Sequence, residues 1–385
     1  MATAVMPAYT IGVLAPQLLV ALPLGPAVIG LLVAVSYGSA ALLSPAVGGV
    51  VDRLGERRLM LVQPLLAASA LIIVAVAANH AMLLLAMVVS GLGLAIANPA
   101  GNRLIHRAAA PSRAGVIVGV KQSGVPLGWL IVGSQLPLLV PVLGWRPATV
   151  SLLLFPFIGV LLAWRLPRTP RSSRSVARVP GGLGGLERWL LVYALLLGTG
   201  SSGVVAYLPL TAVELSGLSP GAAGFVGGVV GASAVAARLA WGWASRRLER
   251  LDLAMVGIAA LSIVASGTVL LSSRTAAAVW VAALLFGASA VSVMAVLTVH
   301  LLRVSEPAAI GRASGWISLA YFGGFIPGPL LFGALVTWSG AYRLPWIVSA
   351  ALFTIAALIA LRAAMRVTTP HDRSPQDRPR RGGGG

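Results

Sequence analysis

Gly48-Gly49-Val50-Val51-Asp52-Arg53-Leu54-Gly55-Glu56-Arg57-Arg58 lies between two long apolar runs, residues 26–51 and 59–78. Each run is long enough to cross a hydrocarbon layer as a helix, which takes about 20 residues. The stretch between them therefore reads as a short charged turn joining two membrane spans. Gly48 lets neighbouring helices approach, and Gly55 permits the tight reversal that a side chain would resist. Asp52 can pair with an arginine or cap a helix.

The pattern continues outward along the chain. Further apolar runs fall at residues 1–20, 81–104, 115–142 and 145–166, then at 189–210, 220–244, 251–271, 276–302, 314–338 and 342–364. Lipid offers no partner for unpaired strand backbone, so runs of this length are helices. The expectation is an all-α polytopic membrane protein with twelve transmembrane helices. Composition agrees: 58% of the 385 residues are hydrophobic and 10% charged, whereas a soluble domain is about 45–50% apolar and about 25% charged. The same numbers exclude a disordered chain.

The net charge of +19 would point to nucleic acid in a soluble protein, but here it follows topology. Arg146, Arg274 and Arg343 fall in loops on one side, and every other arginine is assigned to the opposite side, Arg238 among them. Positive residues collect on the cytoplasmic face, so both termini are expected in the cytoplasm, in a bacterial inner membrane. No nucleic-acid partner is expected. The chain has no cysteine and four scattered histidines, so no metal site is expected. No catalytic triad, carboxylate pair or phosphate loop is present, so neither an enzyme nor a cofactor is expected.

The sequence repeats itself. Gly25-Pro26 with Gly30 recurs as Ser219-Pro220 with Gly224, and Gly48 and Arg53 recur as Gly242 and Arg247. Arg113 and Gly124 recur as Arg312 and Gly323. The expected organisation is two pseudo-symmetric six-helix halves, residues 1–166 and 188–366. A basic cytoplasmic linker, 167–187, joins them, and a disordered tail, 367–385, follows. Repeats of this kind belong to transporter plans. The repeat also places the start of the first span before Met1, so that span is expected to be short and clipped.

With these features together, the chain resembles a major facilitator superfamily transporter along essentially its whole length. The family's loop between its second and third spans reads G-x-x-x-D-R-x-G-x-R-R, matched by Gly48, Asp52, Arg53, Gly55, Arg57 and Arg58; Glu56 stands where the family usually has arginine. The resemblance implies that these residues form a conformational latch of the outward-facing state. The second copy, Gly242-Trp243-Ala244-Ser245-Arg246-Arg247, has Arg246 in the Asp position, so the latch should be asymmetric. Gly124-Val125-Pro126-Leu127-Gly128 matches the family's antiporter motif loosely, and Met87 stands in a region where many members carry an arginine tied to proton coupling. The resemblance implies a secondary transporter acting as a monomer in the bilayer, on a small-molecule substrate with a coupling ion such as H+.

Lys121 is the residue most indicative of cargo. It sits within the fifth run, its repeat counterpart is Ala320, and none of the nine acids lies mid-span. A lysine at that depth costs a few kcal/mol, so it faces a cavity as an anion site or snorkels to the surface. Gln122, Asn98, Tyr37, Tyr207 and Tyr321 are the other candidate substrate-binding residues. Pro126, Pro327 and Pro329 are expected to kink the fifth and eleventh spans. A small organic or inorganic anion is the leading cargo. An exporter of hydrophobic compounds or sugars remains open, as does a transport-inactive sensor on the same fold.

Overall fold

The computed structural model describes residues 1–22, 24–108, 111–166, 188–304 and 310–367. Within some of the described helices, side chains are placed only in part, and those of Asp52, Arg53 and Asn98 lie outside the described set. The linker and the tail of the sequence analysis also lie outside it.

The described residues form helices and no strands. They are α1 (Ala2–Val13), α2 (Ala15–Ala21), α3 (Pro26–Leu54), α4 (Glu56–Val76), α5 (His80–Ala108), α6 (Pro111–Leu143), α7 (Trp145–Ser151) and α8 (Leu154–Trp164), followed by α9 (Arg188–Ser216), α10 (Pro220–Arg247), α11 (Leu251–Leu271), α12 (Ala277–Ala288), α13 (Val293–Val304), α14 (Ile310–Gly323), α15 (Pro327–Ser339) and α16 (Arg343–Val367). Eleven candidate spans meet the length and apolarity of a membrane crossing, and twelve if the pair α1–α2 is one bent span.

Four spans are assembled from two helices each. The first bends by 60° between α1 and α2. Pro16 explains the site: it has no N–H for the Gly12 carbonyl, and its ring crowds that carbonyl. The sixth span breaks between α7 and α8, where Pro156 withholds the N–H that Leu152 would accept. The eleventh breaks at residues 324–326, and Pro327 then opens α15, a position where its missing N–H costs nothing. The tenth breaks at residues 289–292, between α12 and α13, with no proline at all.

The expected kink at Pro126 is not a break. α6 runs as one helix through Pro126, Pro137 and Pro141. Each of these prolines leaves the carbonyl four residues earlier without its helical N–H, so α6 carries a row of freed carbonyls at Gln122, Gly133 and Pro137.

The two halves meet along small residues. Gly133 of α6 lies directly against Gly228 of α10, Leu130 against Gly231, and Pro137 against Gly224. Gly12 of α1 abuts the Val205 carbonyl, and Gly30 of α3 abuts Pro329. Pro209 leaves that Val205 carbonyl unpaired in its own helix, and only a glycine lets a neighbouring backbone come this close. Such small-residue faces are how helices associate in lipid, where no hydrophobic force drives them together.

These contacts lie toward the arginine-poor end of the bundle and extend down to the level of Gln122 and Arg238. Among the described residues, the bundle is closed toward the arginine-poor end.

Candidate functional site

Arg238 lies eighteen residues beyond the start of α10, about 27 Å from its arginine-poor end at 1.5 Å per residue. Its side chain is 8% exposed. By sequence it counts with the loop arginines of the basic side, although it falls within the run 220–244. The structure corrects this, because α10 continues past it to Arg247 and it is buried inside the bundle. A count of arginines by side does not separate a loop charge from one inside a helix.

The guanidinium joins two defects in two halves. Nη1 donates to the Gln122 carbonyl on α6, which Pro126 has deprived of its helical partner. Nη2 donates to the Val291 carbonyl at 2.9 Å. Val291 lies in the break of the tenth span, where the Ala295 N–H turns to Ser292 instead, at 3.0 Å. Two neighbouring carbonyls of that break are also taken from outside: Ala290 by the Tyr321 hydroxyl at 3.1 Å, and Ala288 by the Trp241 indole at 2.9 Å. The Val291 N–H meanwhile reaches back to Phe286 at 3.1 Å, one residue further than in an α-helix. Irregular backbone at membrane depth persists where protein donors satisfy it, and Arg238, Tyr321 and Trp241 supply those donors here.

Aromatic rings surround this junction. Tyr37 of α3 packs on Phe325 at 4.5 Å and on Phe322 at 6.1 Å between ring centroids. Tyr321 meets Phe322 at 5.3 Å and Phe325 at 5.6 Å. Tyr9 of α1 stacks on Trp129 at 5.1 Å. The Tyr9 and Tyr37 hydroxyls face each other, and Tyr9 and Tyr321 lie within electrostatic reach of Arg238. Tyr9, Tyr37, Trp129 and Tyr321 are all buried. The Arg238 Nε and the Gln122 Oε1 are buried without a hydrogen-bond partner among the described residues. Among the described residues, no carboxylate is paired with Arg238; its recorded partners are carbonyls.

Of the residues expected from sequence, Gln122, Tyr37 and Tyr321 come together here. Lys121 is next to Gln122 on α6, and its stem and ammonium lie along Gly101 of α5. Asn98 is on α5, with its side chain outside the described set. Tyr207 is elsewhere. Its hydroxyl donates to Pro26 at 3.0 Å and its ring stacks on Phe332 at 4.5 Å, in the closed arginine-poor end. Sequence reasoning missed Arg238 and Trp129, whereas Tyr9 stands out in the sequence, like Tyr37, as a polar ring in an apolar run. The signal for Arg238 was its distance from the next basic residue, Arg246, with Leu239-Ala240-Trp241 continuing the apolar run beyond it.

At the loop quoted first, Gly55 adopts φ of +80° and begins α4. Arg57 donates to the Trp164 carbonyl at 2.7 Å, at the end of the sixth span. Arg58 is exposed, and Glu56 is buried. Gly48, Asp52 and Arg53 lie on α3 with no described side-chain contacts.

The family model described as Major Facilitator Superfamily matches residues 1–327. No curated protein gives a significant match to the sequence. Among solved structures, a bacterial homolog of the human lysosomal transporter Spinster superposes with a TM-score of 0.75 at 17% identity, covering 95% of this chain and 94% of that one; it was solved inward-facing and occupied. The same homolog, inward-facing and unoccupied, gives 0.71 at 17% identity, with 94% of each chain covered. A mutant of the nucleoside transporter NupG gives 0.72 at 13% identity, covering 96% of this chain and 99% of that one. At these identities the likeness is one of fold.

Proposed function

This chain belongs to the major facilitator superfamily, and on that premise we propose that it is a secondary transporter carrying a small anion across a membrane by alternating access. The observation that carries the anion reading is Arg238, a permanent cation at the junction of the halves whose recorded partners are neutral carbonyls. Burying a charge without an opposite one is costly, and an anionic cargo would offset that cost while bound. Lys121, the residue before Gln122 on α6, adds a second cation.

In this reading the arginine-rich end faces the cytoplasm, with both termini there, in a bacterial inner membrane, because positive residues are retained on that side. In the same reading the closed arginine-poor end is the outer gate of the transporter. Reopening requires the contacts at Gly133–Gly228 and Gly30–Pro329 to part and the opposite ends to close. Asp52, Arg53, Arg57 and Arg58, with Gly48 and Gly55, would form the latch that holds the second state. The cargo exchanges across the barrier unchanged, so the reading is one of transport and not catalysis.

Flux into proteoliposomes is the test. Saturable, protein-dependent uptake of a labelled anion is the expected result. Preference for a neutral sugar or hydrophobic solute would replace the anion class. Saturable binding without flux would make the protein a sensor on a transporter fold.

A further inference from the structure

We propose that the Nε edge of Arg238 is the receptor for a carboxylate, and that the cargo is a carboxylate carried on a flat, apolar, aryl-like body. The proposal rests on the anion-transport reading above and narrows it.

A guanidinium has five N–H donors in a planar fork. In this bundle two are directed at carbonyls of opposite halves, Gln122 and Val291. The Nε–H is buried and has no partner among the described residues. Buried polar groups are almost always hydrogen-bonded, so an orphaned charged donor calls for an explanation. The Nε–H and a neighbouring Nη–H form one edge of the fork, and that edge matches the two oxygens of a carboxylate as parallel, charge-assisted bonds. A tetrahedral oxyanion also accepts such bonds, but its remaining oxygens would need further donors. The described side chains around the junction are mostly aromatic, and the orphaned donors among them, the Tyr37 hydroxyl and the Trp129 Nε1, sit on ring edges. Rings favour a flat apolar body over a compact, strongly hydrated ion.

The aromatic wall is continuous. Tyr37, Phe322, Phe325 and Tyr321 contact one another in sequence, and Tyr321 and the guanidinium donate to neighbouring carbonyls of the same break, Ala290 and Val291. Phe322 and Gln122 are partly exposed. Offset or edge-on contact of a ligand ring with such a wall contributes about 0.5–1.5 kcal/mol per pair beyond area burial.

The experiment uses the full chain purified in detergent, with thermal unfolding and equilibrium binding as paired readouts. The probes are benzoate, its neutral isostere benzamide, acetate and inorganic phosphate. Benzoate is expected to bind saturably and raise the unfolding midpoint, acetate to bind about ten-fold more weakly or less, and benzamide and phosphate to leave the midpoint unchanged. Arg238→Lys keeps the charge but not the fork. It is expected to weaken benzoate binding by about ten-fold or more, with the ligand-free midpoint serving as the control for folding. Benzamide binding as tightly as benzoate would overturn the proposal, as would an Arg238→Lys protein that folds and binds benzoate normally. Phosphate or acetate binding in preference to benzoate would sink the aryl carboxylate and leave the anion reading standing. Failure of all three anions to bind would remove the anion reading itself.

Discussion

The fourth span and the tenth occupy equivalent places in the two halves, yet they differ. α5 runs unbroken from His80 to Ala108 through Pro99. Its counterpart has no proline and breaks at residues 289–292 into α12 and α13. The fifth and eleventh spans differ likewise: α6 is one helix with three internal prolines, whereas the eleventh is split before Pro327. Proline frees a carbonyl, but whether the helix parts depends on what is nearby to receive freed groups. In the C-terminal half, Arg238, Tyr321 and Trp241 donate to three carbonyls within about one turn, Val291, Ala290 and Ala288, and the break is held there. The halves share a plan and specialise in where backbone is left irregular.

The two copies of the charged loop show the reverse case. By sequence the second copy is degraded. In the structure, Arg57 donates to the Trp164 carbonyl at the end of the sixth span, and Arg250 donates to the Ala364 carbonyl near the end of the twelfth at 2.6 Å. Both tie a loop to the last helix of their own half and satisfy an end carbonyl that has no helical partner. Arg250 is additionally ion-paired with Asp252 at 2.7 Å.

The largest effect is expected where the halves touch. Gly228→Leu places a side chain into the Gly133 backbone, and overpacking of this kind costs about 1–3 kcal/mol. If that falls on the closed state alone, transport should drop by about 100-fold, and a reporter cysteine, Ser134→Cys in this cysteine-free chain, should become reactive. Normal flux with an unreactive reporter would mean that the contact does not need to form during the cycle.

Lys121→Ala should lower anion uptake by about ten-fold, as loss of about 1.4 kcal/mol of cargo binding would. Lys121→Arg should restore it in part. Undiminished uptake by the alanine variant would assign Lys121 to the surface and leave Arg238 as the sole interior cation of the transport site.

Asp52→Asn should slow turnover by about three-fold with near-normal binding, because it shifts the balance of states and not the site. Cysteine labelling at the two ends would report the shift. Unchanged labelling and turnover would remove Asp52 from the latch and make the two charged loops equivalent ties.

Tyr321→Phe takes the donor from the Ala290 carbonyl. Leaving a buried acceptor unpaired costs about 1–3 kcal/mol, visible as a lower midpoint of thermal unfolding. An unchanged midpoint would show that Arg238 and Trp241 suffice to hold the break. Pro99→Ala should change stability least, within about 1 kcal/mol, since α5 already accommodates the ring without parting. A large stabilisation would show that the fourth span is strained and nearer to its counterpart than its continuity implies.

The sequence by itself determined the class of fold. Hydrocarbon thickness sets the run length, lipid requires helices, and the repeat with Gly48, Asp52, Arg53 and Gly55 sets the two-half plan; all of these are local or periodic and can be read without coordinates. It also singled out Lys121, Gln122, Tyr37 and Tyr321, because polar groups in apolar runs stand out. Only the tertiary structure decided that Arg238 is interior and that Tyr207 belongs to the closed end. It alone placed the break of the tenth span. The reason is physical: a carbonyl freed by Pro126 on one half and another freed at Val291 on the other come within reach of one guanidinium only when the halves are packed, and no pattern along the chain encodes that meeting.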